Sequence, residues 1–135
     1  MSDQTKIIAL PQPATPGNRR WHFDHHRLDA WHIALEALVR GDAIAKAVPK
    51  GYGKLKDHLQ RALSGAYTQT TEAAARTGAD RASRFRVARA EAGEAAGALE
   101  ALAQLGVADA SKVDVVVGLL WRLCAMLTRL AQVKR

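Results

Sequence analysis

The chain has 135 residues, the length of one ordinary domain, and 48% of them are hydrophobic. Twenty Lys and Arg against thirteen Asp and Glu give a formal net charge of +7, and Cys124 is the only cysteine. These values exclude an intramolecular disulfide and a second independent core, and they favour polyanionic partners such as nucleic acid. A basic surface that serves solubility alone is the alternative.

Residues 1–22 are predicted to be a flexible N-terminal tail. The apolar stretch 7–10 is followed by residues that disfavour a continuous helix: Pro11, Pro13, Pro16 and Gly17. No stretch resembles a signal peptide or reaches the roughly 18 apolar residues of a membrane span. A lone cysteine also fits a reducing compartment, so we expect a cytoplasmic protein without membrane contact.

The remainder, residues 23–135, predicts four helices, at about 25–47, 52–77, 80–105 and 109–133. The first is expected to begin after Asp24 as its N-cap and to end before Pro49 and Gly51. Its apolar residues follow helical spacing and predict the buried face: Leu28, Trp31, Leu35, Leu38 and Ala45.

The second helix carries the most regular apolar stripe of the chain, and the others are expected to pack around it. Its members are Leu55, Leu59, Ala62, Leu63, Ala66, Thr70 and Ala73. Gly78 is predicted to close this helix.

The third helix is predicted to begin after Asp80 or Ser83 and to close at Gly106. Its contact face is mostly alanine and runs through Phe85, Ala88, Ala92, Ala95, Leu99 and Leu102. Small residues permit close approach of a neighbouring helix, and Gly93 and Gly97 are expected to take part in that contact.

The fourth helix, which begins at Asp109 or Ser111, is apolar around most of its circumference. One set of residues predicts a core stripe: Val113, Val116, Val117, Leu120, Cys124, Leu127 and Leu130. A second set predicts an interface with further copies of the chain: Val115, Leu119, Trp121, Leu123 and Met126. The alternative is that this helix lies deepest in its own bundle.

Four helices joined by connections of three to six residues predict an all-α fold, an antiparallel up-down-up-down four-helix bundle. In that topology the turn between the second and third helices lies at the same end as both chain termini.

Several short motifs, in this order and spacing, resemble the four-helix-bundle proteins of the 23S rRNA intervening-sequence family. They are residues 27–31, residues 59–62, Glu72, Arg76, residues 84–85, residues 86–89 and Glu94. The resemblance covers about residues 23–133. The sequence departs from the family at residues 69–73, which keep only Glu72 of a segment that reads Asn-Ile-Ala-Glu-Gly in relatives.

The resemblance implies a small basic bundle that assembles as a ring, a homopentamer, and is bacterial. The same fold occurs in the accessory variability proteins of diversity-generating retroelements, which bind nucleic acid and a reverse transcriptase. A protein partner of that kind is therefore an alternative to direct nucleic-acid binding. The resemblance implies no enzyme and no cofactor.

The residues predicted to bind nucleic acid cluster around the turn between the second and third helices: Arg76, Arg81, Arg84, Arg86 and Arg89. Arg27 and Arg129 are expected at the same end, with further basic residues near both termini: Arg19, Arg20, Lys134 and Arg135. Arginine forms bidentate bonds with phosphate, and such contacts depend on charge rather than base sequence. The alternative is a solvated face whose arginines pair with Glu72 and Asp80.

No residue set predicts catalysis or a metal site. Glu72 lacks a second carboxylate at a defined spacing, and Cys124 lacks a neighbouring base. The His-rich segment 22–26 lies beside the predicted tail, where fixed ligand geometry is not expected. We therefore expect a non-catalytic homo-oligomer that binds RNA or DNA through phosphates; a protein-binding accessory subunit and a purely structural oligomer are the alternatives.

Overall fold

The computed structural model describes residues 21–132. A short 3₁₀ helix, Asp24–Arg27, precedes four α-helices: α1 (Asp29–Lys46), α2 (Gly53–Ala74), α3 (Gly78–Gln104) and α4 (Ala110–Leu130). The predicted all-α four-helix bundle is confirmed, and residues 21–132 contain no strand. The predicted tail up to residue 20, and the predicted end of the fourth helix at residue 133, lie outside the described residues. None of the described helices is both long enough and apolar enough to cross a membrane.

Each helix packs on two others, in the cycle α1–α2–α3–α4–α1. Cross-helix contacts give the register. Arg86 near the start of α3 contacts Ala131 after α4, whereas Arg89, further along α3, contacts the earlier residue Cys124. The positions rise on α3 as they fall on α4, which is the contact order of helices that run in opposite directions. The start of α3 therefore lies beside the end of α4.

The predicted faces of α2 and α3 are the best matched to the core. All six predicted residues of α3, from Phe85 to Leu102, are fully buried. On α2, the six residues from Leu59 to Ala73 are buried, and Leu55 lies at the margin. The prediction of these buried residues is accurate because the apolar residues of each helix recur at three- and four-residue steps along one face.

The predicted face of α1 is rotated from the buried one. Leu35 and Leu38 are only half-buried, and the residues in the core are Ala30, Trp31, Ala34, Ala37, Gly41, Ile44 and Ala45. The helix also starts at Asp29 rather than near residue 25, because Leu28 adopts an extended conformation. Asp24 does not cap it.

The predicted interface on α4 needs correction at two positions. Leu119 and Leu123 are 8% and 0% exposed and belong to the core of the bundle. Because α4 packs on both α1 and α3, its buried stripe is wider than the predicted one. Leu123 is therefore not accessible to another copy of the chain, whereas Val115 and Trp121 are 50% and 74% exposed.

The closest helix contacts also differ from the prediction. An alanine Cβ at Gly93 or Gly97 would meet no atom within 4 Å, so the expected close packing there is wrong. At Gly41, by contrast, the Cβ would lie 2.5 Å from Leu63 Cδ1 on α2. A Cβ at Gly65 would likewise lie 2.7 Å from the carboxylate of Glu91 on α3. The glycines that permit close approach are therefore on α1 and α2.

The helix ends follow the sequence signals only in part. Asp109 caps α4, as predicted, and its carboxylate accepts bonds from the Ser111 and Lys112 amides. Its pKa is lowered, first by the hydrogen bond from the Ser111 side chain and then by these amides. Thr77 rather than Asp80 or Ser83 precedes α3. Gly78 starts α3 with φ +59° instead of closing α2.

A polar contact fixes α1 against α2 close to their shared end. The indole of Trp31, which is 8% exposed, donates to Thr71 Oγ1 at 2.9 Å. The Thr71 hydroxyl in turn donates to the Tyr67 carbonyl. Thr70, fully buried, likewise donates to the Ala66 carbonyl. Thr70 and Thr71 thus satisfy polar groups in the α1–α2 contact and in α2 itself.

Alanine substitutions at Gly41 and Gly97 are predicted to have opposite effects on the free energy of unfolding. Gly41→Ala should lower it by roughly 1 kcal/mol, because overpacking against buried Leu63 costs more than the gain in helix propensity. Gly97→Ala, at an open helical position, should raise it by about 0.5–1 kcal/mol. Urea denaturation measures both, and stabilisation by Gly41→Ala would contradict the close contact.

Candidate nucleic-acid interface

Most of the predicted arginines lie at one end of the bundle, which we call the arginine pole. It is formed by the start of α1, the first half of α3 and the ends of α2 and α4, and it includes residues 27–30, 74–89 and 126–132. The register of the helices thus brings Arg27 and Arg129 beside Arg81, since all three line one cavity. The other basic residues expected there lie outside the described chain: Arg19, Arg20, Lys134 and Arg135.

Two of the five predicted arginines are engaged with carboxylates. Arg76 contacts Glu72 Oε1 at 3.3 Å and Asp80 Oδ2 at 3.1 Å. Arg84 contacts the same two residues, at 3.2 Å to Glu72 Oε1 and 3.4 Å to Asp80 Oδ1. The four side chains therefore form an alternating ring of charge across the α2–α3 turn. Its two positive and two negative charges cancel.

Arg84 is the less accessible member of this ring. Its side chain is 29% exposed, and Nη1 also lies 3.5 Å from Gln69 Oε1. Its Nε is buried and makes no hydrogen bond, so the contact with Asp80 is electrostatic only. Arg84 therefore ties α3 to α2, and a phosphate would have to displace carboxylates to reach it.

Arg81 is held by an aromatic ring. Its guanidinium carbon lies 5.1 Å from the centre of the Phe85 ring, and Phe85 is fully buried. This cation–π contact restricts the side chain without neutralising it. Arg81 is half-exposed and faces the cavity of the arginine pole.

Arg86 and Arg89 lie further along α3, on the side next to α4. Arg86 Nη1 donates to the Ala131 carbonyl at 3.3 Å and so satisfies an acceptor at the end of α4. Arg89 is exposed, and its backbone carbonyl accepts a contact from the Cys124 thiol. Within residues 21–132, no carboxylate pairs with the following side chains: Arg27, Arg81, Arg86, Arg89 and Arg129.

No local sequence pattern predicts the cavity at the arginine pole. It has a volume of about 660 Å³, and its basic lining residues are Arg27, Arg81 and Arg129. Among the described residues that line it, Asp29 is the only carboxylate. Its apolar wall comes from Leu28, Ala82, Met126 and others. We refer to it as the pole cavity.

The predicted interface residues that remain accessible lie on different sides of α4. Val115 lines a second cavity of about 470 Å³ with Ala43 of α1 and with Ala47, which directly follows α1. Trp121 is one turn before Cys124, which contacts α3. Met126 is half-buried in the wall of the pole cavity.

The His-rich segment forms an aromatic cluster over the start of α1. Phe23 stacks on His25 with 5.7 Å between ring centres, and His25 lies 4.6 Å from the Trp31 ring. His26 Nδ1 accepts from the Phe23 amide. Within residues 21–132, no group of three or more His, Cys, Asp or Glu side chains is arranged to hold a metal ion.

The chain matches no protein-family model, and no curated protein is significantly similar to it.

The reactivity of Cys124 should be low and should depend on Arg89. Burial raises the pKa of the thiol above its usual value of 9.0, and the Arg89 charge opposes that rise. Arg89→Gln should therefore raise the pKa further and slow alkylation at a given pH. The pH dependence of the iodoacetamide rate measures this, and Arg122→Gln is the matched control. A faster rate in Arg89→Gln would contradict the assignment.

Proposed function

We propose that this protein is a non-catalytic nucleic-acid-binding protein that self-associates and contacts phosphates through the arginine pole. The observation that carries the proposal is the set of arginines without carboxylate partners at this pole: Arg27, Arg81, Arg86, Arg89 and Arg129. Arg81, Arg86 and Arg89 remain from the predicted set and Arg27 and Arg129 join them, whereas Arg76 and Arg84 are neutralised by Glu72 and Asp80.

Arginine without a carboxylate partner is the side chain best suited to phosphate. Its planar guanidinium offers two parallel donors to two phosphate oxygens. Several such contacts per subunit, repeated in an oligomer, would give tight binding without reading bases. The resemblance to the 23S rRNA intervening-sequence family supports the same function, since its fold relatives bind nucleic acid.

Neutralising Arg86 and Arg89 tests this proposal. The double variant Arg86→Gln, Arg89→Gln should bind a duplex about tenfold more weakly, or weaker still. It should also reduce the slope of log K against log salt by up to about 2, because each phosphate contact contributes about 0.9 to that slope. Lys50→Gln with Lys54→Gln removes the same charge at the opposite end of the bundle and is the matched control. Fluorescence anisotropy between about 50 and 200 mM salt measures both.

Equal losses in the two double variants would show that net charge, and not the arginine pole, determines binding. Failure of the wild-type protein to bind RNA or DNA at low salt would overturn the proposal. Circular dichroism should confirm unchanged helix content, since all four side chains are exposed.

Self-association is supported by the two exposed apolar features of α4. A closed ring needs two different surfaces on each subunit, because a heterologous contact joins unlike patches. Trp121, on the α3 flank, offers a large protruding group. The cavity beside Val115, on the α1 flank, offers a concave apolar surface. We propose that Trp121 of one copy enters this cavity of the next; five subunits is the number that the family resemblance implies.

Two single substitutions test the ring. Trp121→Ser and Val115→Lys should each reduce the mass measured by light scattering to that of the monomer. The first variant removes a central tryptophan, which costs at least about tenfold in affinity, and the second places a charge in the cavity. Mixed together, the two variants should form dimers, since each retains the surface that the other lacks. Val39→Lys, at a residue 62% exposed on α1, is the control. A monomeric wild-type protein would contradict self-association.

The second candidate is a protein-binding accessory subunit. The exposed Trp121 favours it as well, because large exposed aromatic groups are enriched at protein interfaces. This candidate gains support if the wild-type protein is a monomer that binds no free nucleic acid. Trp121→Ser would then be the variant that removes partner binding.

A further inference from the structure

Three arginines from three separate elements line the pole cavity. Arg27 ends the 3₁₀ helix, Arg81 lies in the first turn of α3, and Arg129 lies in the last turn of α4. Among the lining residues that fall within 21–132, only Asp29 carries negative charge. The cavity is therefore basic, whereas the turn beside it is neutral.

The backbone adds to this charge. α1 and α3 both begin at the cavity, whose lining includes Leu28, Ala30 and Gly78. The N-cap residues Leu28 and Thr77 make no side-chain bond to the first turns that follow them. Helix N-termini carry partial positive charge and free amides, which favour anions. The end of α4 has the opposite polarity, but Arg86 bonds its Ala131 carbonyl.

The size and charge of the cavity favour a phosphate monoester over a phosphodiester. Its volume of about 660 Å³ lies within the range of pockets that enclose small ligands. A phosphodiester within a strand carries one charge and is flanked by two sugars. It is therefore better suited to an open groove of the protein surface than to a pocket. A terminal phosphate monoester has a single substituent, three free oxygens and a charge of about −1.5 to −2 at pH 7. Its third free oxygen and its greater charge suit a cavity lined by three arginines better than a diester does.

We propose that the pole cavity binds the terminal phosphate monoester of a nucleic-acid end. This inference rests on the proposed function, because it names the group of nucleic acid that the arginine pole selects. Arg81, oriented by the buried Phe85 ring, holds one side of the phosphate, and Arg27 and Arg129 hold the others. Leu28, Ala82 and Met126 provide an apolar wall for the terminal sugar and base.

Binding of short single-stranded oligonucleotides with and without a 5′-phosphate tests the proposal, with 3′-phosphorylated strands as a further arm. The 5′-hydroxyl strand is lengthened to carry the same total charge. The phosphorylated strand should bind about tenfold more tightly to the wild-type protein. Adenosine monophosphate should compete, whereas adenosine should not. Inorganic phosphate, compared at equal concentration, separates recognition of the phosphate alone from recognition of the nucleotide end.

Substitutions then assign the preference to the cavity. Arg81→Gln and Arg129→Gln should each bring the affinity ratio of the two strands close to one. Arg86→Gln, outside the cavity, should weaken binding of both strands and leave the ratio unchanged. Arg129 is exposed, so its variant remains informative if loss of the Arg81–Phe85 contact disturbs folding.

The outcomes separate this inference from the proposed function. Salt-sensitive binding of both phosphorylated strands and the hydroxyl strand with equal affinity would overturn the terminal-phosphate site and leave nucleic-acid binding standing. A second outcome is that the protein binds adenosine monophosphate but no strand, and that Arg129→Gln removes this binding. It would overturn the proposed function and support a monoester site for free nucleotides. A ratio that survives in both cavity variants would overturn the assignment to this cavity.

Discussion

Close approach of helices through small side chains is the constraint on which the rest of this structure depends. Ala88, Ala92 and Ala95 on α3 are fully buried, and Gly41 on α1 lies against Leu63. An alanine side chain removes little apolar area from water, so stability has to come from dense contact between helices and from the few large residues among them. Phe85 is the largest of these fully buried side chains.

This packing also fixes the register. A glycine or alanine face accepts a neighbouring helix only where the opposing side chains fit, and Gly41 opposite Leu63 sets α1 on α2. The bond from Trp31 to Thr71 adds a directional contact between the same helices. Once the register is fixed, the starts of α1 and α3 meet the end of α4. Residues 27, 81 and 129, distant in sequence, then share one cavity.

The sequence predicts most of this fold and part of the candidate site. Regular apolar spacing identified the buried residues of α2 and α3, because a single stripe there faces the core. On α1 the prediction placed Leu35 and Leu38 in the core. Alanines make most of the contact with the other helices there, and the two leucines lie at its edge. On α4 the wide apolar surface was divided wrongly, because helical periodicity cannot tell a second packing partner in the same chain from one in another copy.

The sequence predicts that arginines gather at one end of the bundle, but not which of them pair with carboxylates. Clustering in sequence grouped five arginines, and the expectation that Glu72 and Asp80 would oppose some of them was the alternative interpretation. That interpretation applies to Arg76 and Arg84 alone. Which arginine meets a carboxylate depends on the rotation of α2 against α3, and composition contains no information about rotation. The pole cavity required three elements to meet, so no local pattern could predict it.

The ion pairs among Arg76, Arg84, Glu72 and Asp80 also affect the arginines outside this charge ring. Exposed ion pairs contribute only about 0–1 kcal/mol each, so the ring is of modest value for stability. Its larger effect is to engage Glu72 and Asp80, the carboxylates on either side of the α2–α3 turn. With these acids held between Arg76 and Arg84, Arg81 is left to the aromatic ring of Phe85 and to the pole cavity. The paired arginines thus keep the unpaired ones available to an external anion.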